Sequence, residues 1–148
     1  MLDEEFRKLA AFRLALRHFQ SFSEHASETL GLTSQQYQAL LSIRAYEGED
    51  PFTVTVLAQN LLIKHNSAVG LVDRIEQLGL VARRPSSQDR RSVVVELTAR
   101  GKRVINKLAI EHRRELQKMA PELVRCFRHF AKPTPESEWR KSSPKASS

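Results

Sequence analysis

Two stretches of this sequence carry side chains whose chemistry suits a polyanion. The first is Lys64-His65-Asn66-Ser67, followed by Arg74. Lys64 and Arg74 suit phosphate oxygens. Asn66 has the paired donor and acceptor that match the exposed edge of adenine, and His65 or Ser67 can reach base edges. The second stretch holds Arg83, Arg84, Asp89, Arg90 and Arg91. Arginine inserted into a narrow minor groove is a recognised mode of DNA readout. Asp89 is out of place in a loop that only seeks phosphate; it reads as an intraloop partner fixing the direction of one arginine.

Other chemistries find little support. The five histidines are His18, His25, His65, His112 and His129, and none has a companion ligand at metal-site spacing. No glycine-rich phosphate loop and no nucleophile motif of the G-x-S-x-G type is present. The expectation is therefore a non-enzyme with no catalytic residue, no metal and no cofactor. The single cysteine, Cys126, cannot form an intrachain disulfide. It reads as a small buried hydrophobe; the alternative is a redox sensor beside Arg125 and Arg128.

Bulk properties agree with a nucleic-acid partner without requiring one. Of 148 residues, 24 are Lys or Arg and 17 Asp or Glu, a net charge of +7. That balance favours anionic partners. The acidic start, Asp3-Glu4-Glu5, is unlike a signal peptide, and no apolar run approaches the roughly 20 residues that span a bilayer. The expectation is a cytoplasmic protein with no membrane contact.

The elements that must position these residues follow from periodicity. Leu2, Phe6, Leu9, Phe12, Leu16, Phe19, Phe22 and Ala26 recur at steps of three or four, one apolar stripe on a long helix. Gly31 suits its C-terminal cap. Thr33 with Gln36 forms a capping box, and Leu32 and Tyr37 are placed for a hydrophobic staple. Leu40, Leu41 and Ile43 follow. Phe52–Val56 has strand composition, although Thr53 can instead cap the short helix through Leu61. A second helix, from Lys64 to Leu78, buries Ala68, Leu71, Val72, Ile75 and Leu78. Lys64 stands where a capping Ser or Thr is expected. Gly70 costs this helix about 1 kcal/mol relative to Ala, so its missing side chain predicts close backbone approach to the preceding helix or to DNA.

Leu80–Arg84 and Ser92–Leu97 then read as the strands of a hairpin around a polar loop. Thr98 caps a long helix carrying Val104, Leu108, Leu116 and Met119 on one side, with His112 between Leu108 and Leu116 as a core or interface residue. Pro121 predicts a fresh helix start, which carries Leu123, Val124, Phe127 and Phe130. After Ala131 the composition predicts a segment without regular structure, in which Trp139 is the one large apolar residue. Short helix, turn, amphipathic helix and hairpin, in that order, spell a mainly α winged helix-turn-helix with a small β-hairpin wing.

The sequence resembles the multiple-antibiotic-resistance regulator (MarR) family at Leu57-Ala58, Leu61, Leu71-Val72-Asp73-Arg74, Gly79-Leu80-Val81, Arg83-Arg84, Asp89-Arg90-Arg91, Leu97-Thr98-x-x-Gly101 and the upstream Leu32-Thr33-x-x-Gln36. The likeness runs from about Phe6 to Phe130. It implies a transcription regulator, often a repressor, that binds a pseudopalindromic duplex site as a homodimer. It divides the chain into a helical dimerisation region at 1–30 and 98–131, a DNA-binding region at 31–97 and a tail at 132–148. Phe6, Leu9, Phe12, Leu16, Leu116, Met119, Leu123, Phe127 and Phe130 would form the dimer interface. Arg91 would enter the minor groove with Asp89 as its orienting partner, and Lys64, His65, Asn66, Ser67, Arg74, Arg84 and Arg90 would complete the DNA surface. A small aromatic or phenolic ligand would modulate binding. Lys64 and Leu62 depart from the family pattern, Leu62 standing at a turn position that is commonly glycine. The alternative is a winged helix that binds proteins rather than DNA.

Overall fold

The capping residues divide the chain where expected. The computed structural model describes residues 2–89, 91–134 and 136–141. Helix α1 spans Leu2–Glu28 and α2 spans Ser34–Arg44. Between them Gly31 takes φ +75°. The Thr33 capping box is complete: Gln36 N–H donates to Thr33 Oγ1 at 3.1 Å, and Thr33 N–H to Gln36 Oε1 at 3.1 Å. Leu32 and Tyr37 are both buried.

Helix α3 spans Val54–Leu61 and α4 spans His65–Gln77. The strand expected over Phe52–Val56 is reduced to one bridge, Thr53 with Val94. Thr53 is instead the N-cap of α3, accepting from Val56 N–H. The cap satisfies a helix donor locally, which outweighs the strand preference of the valines. Strands β1 (Val81–Pro85) and β2 (Val93–Leu97) form the antiparallel hairpin, with Val81 opposite Leu97 and Pro85 opposite Val93.

Helix α5 runs unbroken from Ala99 to Ala131, with Pro121 inside it. The helix start expected at Pro121 does not occur. Proline removes one backbone hydrogen bond there, and the apolar positions on both sides keep a common helical phase. A short helix, α6 (Glu136–Lys141), lies in the segment expected to lack regular structure. No described helix is long and apolar enough to cross a membrane.

The chain divides into two units, one at Phe22–Arg113 and one at Met1–Ser21 with Arg114–Ser148. The boundary differs from the expected 30 and 98 because the end of α1 and the start of α5 belong to the winged-helix core. Ser23, Ser27, Ile105, Leu108 and His112 are all buried. His112 Nδ1 lies 2.7 Å from the Leu108 carbonyl, so that nitrogen must donate. Its Nε2 lies 2.9 Å from Ser23 Oγ. The imidazole stacks on Tyr37 and meets Phe22 edge-on, and burial raises the Tyr37 pKa. His112 is thus a core histidine.

The second unit pairs the first part of α1 with the last part of α5. Phe12 and Phe127 rings are 5.6 Å apart. His129 Nε2 lies 2.9 Å from Glu5 Oε1. Buried Cys126 donates its thiol to the Lys8 carbonyl, which fits the small-hydrophobe reading. The α1 stripe does not pack as one face. Ala15 is buried and Phe12 half-buried, whereas Phe6, Leu9 and Leu16 are exposed. On α5, Met119 and Leu123 are half-buried, but Leu116, Phe127 and Phe130 are exposed.

Candidate nucleic-acid interface

Helix α4 is braced from behind and bare in front. Ala68, Leu71, Val72 and Ile75 are buried. Leu78, expected with them, is 37% exposed because it sits at the C-cap, where the chain turns into Gly79. Lys64, His65, Asn66, Ser67 and Arg74 are all exposed. Lys64 is the N-cap and makes no side-chain cap hydrogen bond. First-turn N–H groups are therefore left for solvent or an anion, which the helix dipole favours. Gly70 does not serve the approach of α3 to α4: a Cβ there would meet only Arg74 Nη1, at 3.6 Å.

The turn into α4 is strained. Leu62 has φ +54°, and it is 93% exposed. A left-handed conformation costs a side-chain-bearing residue about 1–2 kcal/mol.

The hairpin is tied to α4 by Arg83. Its guanidinium contacts Asp73 and lies 3.0 Å from Glu76 Oε1. Its backbone N–H donates to Glu76 Oε2 at 3.0 Å. These hydrogen bonds from Arg83 hold the Glu76 carboxyl below its ordinary pKa, and Glu76 raises that of Arg83. Arg83 thus fixes the wing rather than extending the cationic surface. Arg84 is also engaged, pairing with Glu96 across the strands at 2.8 Å.

The wing tip is ordered by residues that individually look incidental. Ser86 N–H donates to the Ser92 carbonyl at 3.0 Å, and Ser86 Oγ accepts from Gln88 N–H at 3.2 Å. Asp89 Oδ1 accepts from Arg91 N–H at 2.9 Å, and Asp89 Oδ2 from Ser92 Oγ at 3.2 Å. Asp89, expected as an intraloop partner of one arginine, thus meets Arg91 through the Arg91 main chain. Arg91 itself is exposed. Arg90 lies outside the described residues. Sequence reasoning missed Ser86; a serine hydroxyl bonding backbone two and three residues on is the local signal that marks it.

The hairpin base meets α5 closely. Thr98 Oγ1 donates to the Gly79 carbonyl at 2.7 Å and accepts from Gly101 N–H at 3.0 Å. A Cβ on Gly101 would lie 2.0 Å from the Leu80 carbonyl oxygen.

Residues 30–92, which hold α2 to α4, β1 and the wing tip but not β2, match the MarR family model. The chain is 36% identical over 84 residues to the transcriptional activatory protein BadR of Rhodopseudomonas palustris. It is 30% identical over 81 residues to the regulator PecS of Dickeya dadantii. Over this segment the chain is similar to the MarR family. These matches cover 57% and 55% of the chain but only 48% and 49% of BadR and PecS, so it spans about half the length of either. The fold is that of the S. aureus MepR–DNA complex, with TM-score 0.67, 19% identity and 88% of each chain covered. It is likewise that of Bordetella bronchiseptica BpsR, whose DNA binding is regulated by 6-hydroxynicotinic acid, with TM-score 0.62, 18% identity and 83% and 91% covered. PecS is named a transcriptional regulator and BadR a transcriptional activatory protein.

The chain also has an open cleft of about 510 Å³ beside the far end of α4. Leu32 and Leu78 supply apolar wall, and Gln36, Arg74 and Gln77 supply polar groups.

Proposed function

We propose that this protein is a sequence-specific, duplex-DNA-binding transcription regulator acting as a homodimer. One observation carries the reading: the exposed start of α4, Lys64–Ser67, and the ordered tip bearing Arg91 belong to one body, joined by Arg83 to Asp73 and Glu76. The helix fits a major groove, and the wing arginine an adjoining minor groove. In this reading Lys64 and Arg74 take phosphates, and His65, Asn66 and Ser67 face base edges. Arg84 and Arg90 add to the wing's cationic field, and Arg91 enters the minor groove.

The homodimer is supported by the exposed apolar groups Phe6, Leu9, Leu16, Leu116, Phe127 and Phe130, an uncommon concentration for a monomer's surface. Half-buried Phe12, Met119 and Leu123 would line the same seam. A dimer would set two copies of α4 about 34 Å apart, one turn of a pseudopalindromic site. The cleft beside α4 is of a size for a small ligand, and an occupant contacting Arg74 would compete with its phosphate; BpsR offers a precedent for such regulation. Repression is the sign the family resemblance suggests, although BadR is named an activatory protein.

A binding titration of duplex DNA across salt concentrations tests this, with sedimentation to read the oligomer. The expected result is a dimer whose log affinity falls steeply with log salt. A folded protein that shifts no duplex would instead support the protein-binding winged helix.

A further inference from the structure

Helix α3 closes with a motif that normally demands glycine. Ile63 N–H donates to the Ala58 carbonyl at 3.0 Å, and Leu62 N–H to the Gln59 carbonyl at 3.3 Å. This pair of hydrogen bonds defines a Schellman ending, and its left-handed residue is Leu62. The same chain builds this ending twice more. After α1, Leu32 N–H reaches Ser27 and Gly31 N–H reaches Glu28; after α4, Leu80 N–H reaches Ile75 and Gly79 N–H reaches Glu76. At those two ends the left-handed residue is glycine, with φ +75° and +73°. Only the ending that leads into α4 carries a side chain there.

That side chain does nothing for the chain's own core. Leu62 is 93% exposed, the most exposed of the large hydrophobic residues described. It combines backbone strain with unburied apolar surface, and glycine would remove both. Strain retained without an internal contact points to an external one. Leu62 lies two residues before Lys64 and so beside the exposed polar run Lys64–Ser67. On the proposed DNA-binding function, the feature in reach there that takes an aliphatic group is the thymine methyl, which stands in the major groove where each base otherwise shows hydrogen-bonding atoms.

We propose that Leu62 is a specificity-determining residue, contacting the 5-methyl group of a thymine beside the start of α4. The inference rests on the DNA-binding reading and adds an apolar contact to its polar set.

The test begins by selecting a preferred duplex from a random pool with the full wild-type chain. Affinities of wild type, Leu62→Ala and Leu62→Gly are then measured on that duplex and on copies with single thymines replaced by deoxyuridine. Removing one buried methyl changes affinity by about fourfold. Wild type is expected to lose that factor at one thymine position. Leu62→Ala should bind the parent duplex correspondingly more weakly and be indifferent to deoxyuridine there. Leu62→Gly should melt at a higher temperature than wild type while sharing that indifference. Equal deoxyuridine penalties in wild type and Leu62→Ala would overturn the proposal, as would a Leu62→Gly protein that melts lower, since the leucine would then serve the fold. If wild type binds duplexes but selects no sequence, the contact is refuted while duplex binding stands. If it binds no duplex, both readings fall together.

Discussion

Arg83 on β1 and Glu76 on α4 are joined twice, once through the guanidinium and once through the Arg83 backbone N–H. A side-chain pair alone would let the strand slide. The backbone bond fixes β1 against the helix, so the wing and α4 hold one relative position. Exposed ion pairs add little to folding stability. The expected consequence of breaking this one is therefore a looser wing.

Glu76 makes that link pH-dependent. Its carboxyl is held below its ordinary pKa by the hydrogen bonds from Arg83. A depressed carboxyl contributes stability that is present above its unfolded pKa and is lost as pH falls through the folded one. Wild type should accordingly melt above Glu76→Gln at neutral pH, and the gap should close in acid, below the ordinary carboxylate range. Melting curves of both proteins across pH check this. A gap that persists unchanged to the lowest pH at which both fold would contradict it.

Asp89→Ala separates geometry from charge. Removing an acid from the wing tip should strengthen DNA binding if only net charge matters. Because Asp89 holds Arg91 N–H and Ser92 Oγ, the expected result is weaker binding, by about two- to tenfold for the hydrogen bonds lost. Titration of the same duplex with both proteins decides it, and tighter binding by the variant would show that the tip needs no such brace.

The two interior glycines of α4 and α5 should respond oppositely to alanine. At Gly70 a Cβ meets only Arg74 Nη1 at an ordinary 3.6 Å, so the variant should gain about 1 kcal/mol of helix preference. At Gly101 a Cβ would strike the Leu80 carbonyl, and the overpacking should cost about 1–3 kcal/mol. Chemical denaturation of each variant reads both signs.

What could be read in the sequence was local. The Thr33–Gln36 box, the helix face of Ala68, Leu71, Val72 and Ile75, and the hairpin all follow from residues within a few positions of one another. The bare N-cap at Lys64 was legible for the same reason. Pairings across the fold were not. Nothing in the spacing of Arg83 told whether it would face DNA or reach back to Asp73 and Glu76, since that depends on the angle between hairpin and helix. Arg84 with Glu96 is a similar case. The α1 stripe read as one face because periodicity marks apolar positions without dividing those that pack within the chain, such as Phe12, from those left outside, such as Phe6. Pro121 misled by its local cost, which the continuing helix on both sides outweighed.

The central claim is that the wing arginine works with α4 on DNA. Its most direct test is the affinity of folded Arg91→Ala for the wild-type protein's preferred duplex at fixed salt. Removal of a groove-inserted arginine should weaken binding by at least about fivefold, with circular dichroism and melting unchanged. Equal affinity of the folded variant and wild type would contradict the account.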